Sequence, residues 1–274
     1  MESIKRFVGN IVNDAPLEIR ENWANLLASD RAAAIMELVN EYNAEVDEEG
    51  MEELPCPICH GKGRIEVFDA EKIDRRQEAC RCMKPRRALR YVKGLGLLKD
   101  VQKCSFDSFV PYDDITEDMK QLALDFIHDW EGKWLFLGGQ SGAGKTHLAY
   151  ACLGQMVKEY HAPRWMRWIQ DSQKIKRLVT DEDEYDREVI PLQQCEILII
   201  DDLFNKPPTE ADIQLARTII DDRYCNDRCT IITSECLLGQ INKYDDAIAG
   251  RIAEKSMVFQ VRGDKHNYRM RNYL

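Results

Sequence analysis

Eight consecutive residues in the middle of this sequence have the types and spacing of a phosphate-binding loop. Their letters, GQSGAGKT, fit the pattern G-x-x-x-x-G-K-[ST], and they stand between the apolar stretch WLFL and a helical pattern. In such a loop backbone N–H groups face phosphates, the lysine reaches the β- and γ-phosphates, and the hydroxyl binds Mg²⁺. We therefore predict ATP and Mg²⁺ binding, with Lys145 also catalytic and Thr146 also a magnesium ligand. The predicted nucleotide ligands are Gly139, Gln140, Ser141, Gly142, Ala143, Gly144, Lys145, Thr146 and His147.

Two adjacent carboxylates end the next strongly apolar segment, EILIIDDLF. A strand over these apolar residues brings Asp201 and Asp202 to the carboxyl edge of a parallel sheet, beside the phosphate loop. Asp201 is predicted to bind both the nucleotide and Mg²⁺, and Asp202 to orient or deprotonate the water that attacks the γ-phosphate. The alternative role for Asp202 is a cap on the next element. The pair predicts an ATPase that hydrolyses ATP.

Polar residues in two later segments complete the candidates for ATP chemistry. The segment TIITSE ends in hydroxyls, so either Thr233 or Ser234 would sense the γ-phosphate, and we count Ser234 among the candidate nucleotide ligands. Arg251, in the helical pattern AIAGRIAEK, is the candidate for a catalytic arginine supplied to a neighbouring subunit, which implies self-association through the ATPase domain. The respective alternatives are a satisfied strand-terminal hydroxyl and a surface arginine paired with Glu254.

Four cysteines in two pairs supply a second type of chemistry. Cys56-x-x-Cys59 and Cys80-x-Cys82 offer four thiolates, and the segment between the pairs is long enough to fold back and complete a tetrahedron. We predict a structural Zn²⁺ at these cysteines, because four thiolates leave no open position for catalysis. His60 is expected to be an exposed loop residue, and the other cysteines to be buried small hydrophobes.

The elements that must position these groups appear as alternating helical and apolar patterns from Phe106 onward. Short apolar strands such as Trp134 to Leu137 and Glu196 to Ile200 alternate with helices, which is typical of a parallel sheet covered on both faces. The predicted fold class is α/β: a P-loop ATPase domain with a parallel sheet flanked by helices, preceded by a small helical and zinc-binding N-terminal domain. We place the domains at residues 1–100 and 101–274.

Composition restricts the class of protein further. The 274 residues are 44% hydrophobic and 31% charged, which is ordinary for a globular protein with a core. No apolar run approaches the roughly 20 residues needed to cross a bilayer, and the start MESIKRFVGN lacks the features of a signal peptide. We therefore expect a cytoplasmic protein with reduced thiols and no membrane partner. The net charge of −10 argues against indiscriminate coating of nucleic acid.

Taken together, these motifs resemble the replicative helicase loaders of the DnaC/DnaI type, which are AAA+ ATPases. The resemblance covers roughly residues 55–270 and also rests on the segments CSFDSF and RTIIDDRY and on the terminal NYR, whose Arg269 is a candidate for the nucleotide site or a subunit contact. It implies ATP-dependent delivery of a hexameric replicative DNA helicase onto single-stranded DNA during replication initiation. It also implies that residues 1–100 bind the helicase. Family members commonly have Asn where this chain has Glu235.

Three other functions fit parts of the sequence. A transposition-helper ATPase of the IstB type shares the ATPase motifs but partners a transposase. A nucleotide-switched adaptor without significant hydrolysis would use ATP only to lock a conformation, and Asp202 favours hydrolysis over this alternative. A zinc-dependent, sequence-specific DNA-binding protein would need a helix that reads base edges, and the cysteine region shows no clear one.

Single-stranded DNA is the predicted nucleic-acid partner, and the segment RWMRWIQDSQKIKR is the candidate contact. Trp165 and Trp168 alternate there with basic residues, so these rings either stack on bases or pack in the core. We expect the helix from Ser172 to Thr180 to face DNA through Lys174 and Lys176.

Overall fold

The computed structural model describes residues 28–94, 96–159, 161–263 and 267–268. The helical pieces predicted before residue 28 and the candidate Arg269 lie outside the described residues. The chain divides into two compact units between Arg86 and Arg87. Among the described residues, no helix is long and apolar enough to cross a membrane.

The first unit is a helix packed on a two-stranded antiparallel hairpin. Ile35 and Val39, one helical turn apart, pack against Phe68 and Ile73 of the hairpin. The Asn43 side chain also donates to and accepts from the backbone of the first strand, at 2.9 Å in both bonds. The elements are α1 (Ala28–Ala44), α2 (Glu48–Glu53), β1 (Arg64–Asp69), β2 (Asp74–Ala79) and the beginning of α3 (Met83–Gly94).

The second unit is a five-stranded parallel sheet with helices on both faces. The strand order is β4-β5-β6-β3-β7, so the strand that leads into the phosphate loop lies between β6 and β7. After α3, the elements are α4 (Leu98–Lys103), α5 (Asp114–His128), β3 (Trp134–Gly139), α6 (Lys145–Lys158), β4 (Arg164–Arg167), α7 (Trp168–Lys176), α8 (Glu182–Gln194), β5 (Ile197–Asp201), α9 (Glu210–Cys225), β6 (Cys229–Ser234), α10 (Leu238–Tyr244), α11 (Asp246–Lys255) and β7 (Ser256–Val261).

The two faces of the sheet bury separate cores, as the alternation of side chains along a strand requires. Along β3, Leu135 and Leu137 belong to one buried cluster, while Trp134 and Phe136 belong to the other. All residues of β3, β5 and β6 are buried. This architecture confirms the predicted α/β fold class with a parallel sheet flanked by helices.

Two features differ from the sequence-based expectations. The acidic run from Asp181 begins α8, which no prediction included. Asp181 caps α8 by accepting from the Glu184 N–H, and acids in a first turn are favoured by the helix dipole. The unit boundary precedes residue 100, because Val92 and Leu97 are buried in the core of the second unit.

Candidate functional site

The phosphate loop joins the buried strand β3 to the start of α6, as the motif requires. Gly139 has φ of 102°, and a Cβ there would lie 2.0 Å from the Val261 carbonyl oxygen. Gly144 has φ of 97°, and a Cβ there would lie 2.5 Å from the Phe109 ring. Both positions therefore need glycine for backbone conformation and for space.

Lys145 and His147 begin α6 and face in different directions. The Lys145 ammonium is buried and donates to the carbonyls of Gly139 and Gln140, both at 2.8 Å. The His147 Nε2 lies 3.2 Å from the Ser108 hydroxyl and 3.0 Å from the Ser105 carbonyl. Lys145 thus crosses the loop, whereas His147 contacts the segment that precedes the ATPase sheet.

Asp201 joins the phosphate loop to the neighbouring strand ends. Its buried carboxylate accepts a hydrogen bond from the Thr146 hydroxyl at 3.0 Å and another from the Thr233 hydroxyl at 2.7 Å. Burial raises the pKa of Asp201, against the opposing effect of these two hydrogen bonds. Hydroxyl and carboxylate oxygens are ligands that Mg²⁺ prefers, so Thr146 and Asp201 are chemically suited to hold it.

Asp202 lies beside Asp201 in an unusual backbone conformation. Its φ is 60°, in the left-handed region that few residues other than glycine adopt. Its N–H donates to the Thr233 hydroxyl at 2.9 Å. The residue lines a cavity of about 420 Å³ above the phosphate loop, together with Lys145, Thr146 and Glu235.

The two hydroxyls at the end of β6 have separate roles in the structure. Thr233 contacts both members of the acidic pair, as described above. Ser234 is fully buried, donates to the Leu203 carbonyl at 2.5 Å and accepts from the Cys236 N–H at 3.0 Å. Ser234 is therefore not among the cavity-lining residues, and Thr233 is the hydroxyl that reaches the predicted magnesium ligand.

Arg251 lies in α11, away from the phosphate loop of its own chain. Its guanidinium pairs with Asp221 at 3.0 Å and lies 5.6 Å from the centre of the Tyr224 ring. Glu254, the partner considered for it in the sequence, accepts instead from the Tyr224 hydroxyl at 2.9 Å. Arg251 does not line the cavity, so any role in catalysis would concern another subunit's site.

Sequence reasoning missed part of the cavity wall. Ser108, Phe109 and Tyr112, which precede the ATPase strands, line the cavity together with Tyr268. The Tyr268 N–H donates to the Gly142 carbonyl at 3.1 Å, and its ring lies 5.8 Å from that of Tyr112. The segments CSFDSF and NYR, which contain Ser108, Phe109 and Tyr268, were the signal available in the sequence.

The four predicted zinc ligands are brought together in the first unit. Cys56, Cys59, Cys80 and Cys82 are buried, and their sulfurs all lie within 4.8 Å of one another. The Cys56–Cys80 and Cys59–Cys82 sulfur pairs are 3.7 and 3.4 Å apart. Zinc–sulfur bonds of about 2.3 Å in a tetrahedron separate the sulfurs by about 3.8 Å. The cluster therefore fits a structural zinc site in donor type, number and spacing.

Residues around the cluster support the sulfurs. The Gly63 N–H donates to the Cys59 sulfur at 3.2 Å, and the Arg86 Nε donates to the Cys82 sulfur at 3.4 Å. Such outer hydrogen bonds orient metal ligands. His60 is half-buried rather than exposed, and it is not part of the cluster. Of the other cysteines, Cys225 is exposed, contrary to the expectation of burial.

The proposed DNA-contact segment is largely occupied within the chain. Trp165 is fully buried and stacks on Tyr150 with ring centres 4.2 Å apart, and Trp168 is also buried. Lys174 pairs with Glu188 at 2.8 Å, and Lys176 pairs with Asp212. Both tryptophans therefore pack in the core, the second of the two uses considered for them.

The strand order, the glycine loop after a central strand and the acidic pair at the end of β5 define the class of this protein: its second unit has the fold of AAA+ P-loop domains. More particularly, the chain belongs to the IstB-like ATP binding protein family, which matches residues 66–274.

Known proteins resemble this chain in sequence or in fold. The uncharacterized protein YqaM of Bacillus subtilis (strain 168) is 24% identical over 212 residues, which are 72% of this chain and 67% of YqaM. The crystal structure of the DnaC helicase loader has a TM-score of 0.55 and 23% identity, covering 60% of this chain and 99% of that chain. The crystal structure of DnaI has a TM-score of 0.50 and 19% identity, covering 61% and 93%. The resemblance found in the sequence is thus confirmed in family and fold.

Proposed function

We propose that this protein is an ATP-dependent loader that binds the hexameric replicative DNA helicase and delivers it onto single-stranded DNA during replication initiation. The observation that carries this proposal is the presence of two sites on one chain. One is an ATP site in a unit with the fold of the DnaC helicase loader, and the other is a buried four-cysteine cluster ahead of it. Nucleotide-controlled delivery needs both a site that responds to ATP and a module that holds the partner.

The phosphate loop and its neighbours would bind ATP and hydrolyse it. Lys145 would exchange the carbonyls of Gly139 and Gln140 for the β- and γ-phosphates. Thr146 and Asp201 would hold Mg²⁺, which neutralises charge on the phosphates when bound. Both oxygens already face the same point, because they are hydrogen-bonded to each other at 3.0 Å.

Asp202 is the proposed base for hydrolysis. Its carboxylate would orient the attacking water and accept the proton released as the water oxygen bonds to phosphorus. Thr233 fixes the Asp202 backbone and also contacts Asp201, so one hydroxyl couples the base to the magnesium ligand. Arg251 would act at the site of a neighbouring subunit, which requires the chain to self-associate.

The cysteine module is the proposed grip on the helicase. Structural zinc in small fingers contributes about 10 to 16 kcal/mol to folding, so the shape of this unit would depend on the metal. The hairpin and α1 pack through a small cluster around Ile35 and Val39 and through the hydrogen bonds of Asn43 to β1, and the zinc site would add to these contacts. Loss of zinc should therefore abolish partner binding while the ATPase unit stays folded.

A capture experiment tests the loader proposal. Full-length protein is immobilised and incubated with native cell extract in Mg·ATP or Mg·ADP, alongside Lys145→Ala, and bound proteins are identified by mass spectrometry. We expect a hexameric helicase with wild type and Lys145→Ala, and none with Cys80→Ser. Cys225→Ser is the matched control, since it removes an exposed thiol of the second unit. Recovery of no replication protein would refute the proposal.

A transposition helper is the second candidate function, because the matching family is described as IstB-like. The same capture experiment discriminates between the two, since recovery of a transposase in place of a helicase would establish the helper. A nucleotide-switched adaptor is tested by steady-state hydrolysis: Asp202→Asn should bind ATP as wild type does and lose turnover. Equal turnover in the two proteins would leave Asp202 without a catalytic role.

The proposed function includes contact with single-stranded DNA at α7, now through Lys174 and Arg177, because Lys176 pairs with Asp212. Lys174 is exposed although it pairs with Glu188, and Arg177, which follows α7, is also exposed. These two cations are therefore available to phosphates. Lys174→Glu with Arg177→Glu should weaken binding of a fluorescent oligonucleotide and flatten its salt dependence. Unchanged affinity would exclude this face.

A further inference from the structure

Glu235 stands at the mouth of the nucleotide cavity immediately after β6. The register pairs Gly138 with Ser234, the last residue of β6, so Glu235 follows the strand end near the start of the phosphate loop. Its side chain is exposed and lines the cavity together with Lys145 and Asp202. Within the described parts of the chain, its carboxylate has no hydrogen-bond or ion-pair partner.

The backbone around Glu235 is held on both sides. Thr233, two residues earlier, is tied to Asp201 and to the Asp202 N–H. Ser234 is tied to the Leu203 carbonyl and to the Cys236 N–H. These buried hydrogen bonds fix the backbone at the end of β6, so residue 235 stays at the mouth of the cavity; leaving a partner of any one of them unsatisfied costs about 1 to 3 kcal/mol.

Carboxylates predominate among the described residues of this part of the site. The titratable side chains that line the cavity are Lys145, His147, Asp202 and Glu235, and the buried carboxylate of Asp201 accepts from the Thr146 hydroxyl. Of these described residues, three carry carboxylates and one carries an ammonium, with the guanidinium of Arg167 acting on Asp201 from outside the cavity lining. Asp201 is proposed to bind Mg²⁺ and Asp202 is proposed to orient water, whereas the proposed reaction assigns no role to Glu235. It adds negative charge where the terminal phosphate of ATP must lie.

We propose that Glu235 sets the nucleotide preference of the isolated chain, by disfavouring the γ-phosphate and so lowering the affinity for ATP relative to that for ADP. The inference rests on the proposed ATP site. It adds that Glu235 acts on the γ-phosphate more than on the α- and β-phosphates. A positive side chain brought by another subunit or by the client protein would neutralise Glu235 and restore ATP binding. The same site would then favour ATP chiefly inside an assembly.

Nucleotide titrations of Glu235→Gln test this proposal. Affinities for Mg·ADP and for a non-hydrolysable Mg·ATP analogue are measured by isothermal titration calorimetry with wild type, Glu235→Gln and Glu131→Gln. Glu131 is an exposed carboxylate before β3, at the opposite end of the strand from the phosphate loop, so its variant matches the charge change. Because the Glu235 carboxylate has no hydrogen-bond or ion-pair partner among the described residues, the variant should keep the melting temperature of wild type.

The expected result is a change in the ratio of the two affinities. Glu235→Gln should bind the ATP analogue roughly 3- to 25-fold more tightly, the order expected for removing one unit charge in a partly solvated site, while ADP affinity changes less. Raising the salt concentration should narrow the difference between wild type and variant. Glu131→Gln should match wild type for both nucleotides.

Three results would overturn the proposal. If wild type binds both nucleotides and Glu235→Gln keeps the wild-type ratio, Glu235 has no part in discrimination, and the ATP site itself stands. If Glu131→Gln changes the ratio equally, net charge and not position is responsible. If wild type binds neither nucleotide, the proposed ATP-dependent function fails, and this inference with it.

Discussion

Asp201→Asn should make the protein more stable in the absence of nucleotide and unable to bind Mg²⁺ with ATP. The change removes the charge and keeps the shape of the side chain. An Asn oxygen can still accept the hydrogen bonds from Thr146 and Thr233, which both end on the same carboxylate oxygen. The variant therefore tests the charge of this buried group separately from its packing.

The pH dependence of the stability gain follows from the direction of the pKa shift. Burial raises the pKa of Asp201 in the folded protein, so folding disfavours its charged form. Above the folded-state pKa the carboxylate lowers the stability of the native state, and this loss disappears as the pH falls through that pKa. The difference in melting temperature between variant and wild type should be largest near neutral pH and should shrink on acidification.

The loss of ligand binding can be given a magnitude. Mg·ATP at about 100 times its Kd stabilises a protein by about 2.7 kcal/mol. For a unit the size of Arg87–Leu274, each kcal/mol raises the melting temperature by roughly 2 to 4 °C, so wild type should shift by about 5 to 11 °C. Asp201→Asn should lose most of this shift, and wild type with ATP and a chelator should resemble it.

Differential scanning fluorimetry between pH 5.5 and 8, with and without Mg·ATP, measures both effects. Thr218→Val is a suitable control, because its hydroxyl bonds only to its own helix and lies outside the site. A lower melting temperature for Asp201→Asn without nucleotide would refute the argument from burial. A full Mg-dependent shift in the variant would remove Asp201 from the magnesium site.

Three further predictions concern the cysteine cluster, the phosphate loop and the end of β6. Cys80→Ser should abolish zinc content measured by mass spectrometry and make the first unit sensitive to trypsin, while the ATP-induced melting shift persists. Gly144→Ala should lose ATP binding and about 1 to 3 kcal/mol of stability, because the φ of Gly144 is 97° and the Phe109 ring fills the space a Cβ would need. As a control measured by urea unfolding, Gly154→Ala within α6 should gain about 0.5 to 1 kcal/mol of stability. Thr233→Val should slow ATP hydrolysis roughly tenfold or more with little change in affinity, while Ser234→Ala should instead lose about 1 to 3 kcal/mol of stability. Equal effects of the last two variants on turnover would contradict the separate roles of the hydroxyls.

The parts of the fold that the sequence predicted are those with a strong local pattern. The strands around Trp134 and Ile199 are continuous apolar runs, and the phosphate loop has a fixed spacing, so type and position could be read directly. Helix α8 was missed because its start is an acidic run and Pro191 lies inside it, although Val189 and Leu192 give it a buried face. Its existence depends on tertiary packing, which local propensity does not encode.

The site followed the same division between local and tertiary signals. The cysteine cluster and the Thr146–Asp201 contact were predictable, because the motifs fix which side chains meet. The choice between Thr233 and Ser234 could not be predicted from the sequence. Adjacent residues on a strand point to opposite faces, and the register decides which one faces the phosphate loop. Phe109 and Tyr268 reach the cavity from distant parts of the chain, and no spacing rule relates them.

The left-handed backbone conformation at Asp202 limits which acidic residue can occupy this position. Asp and Asn tolerate this conformation better than longer side chains, because their short polar groups can bond to the nearby backbone. Glutamate would reach further into the cavity but would resist this bend. An Asp-to-Glu substitution at position 202 would therefore require a different backbone conformation in the turn that contains Leu203 and Phe204.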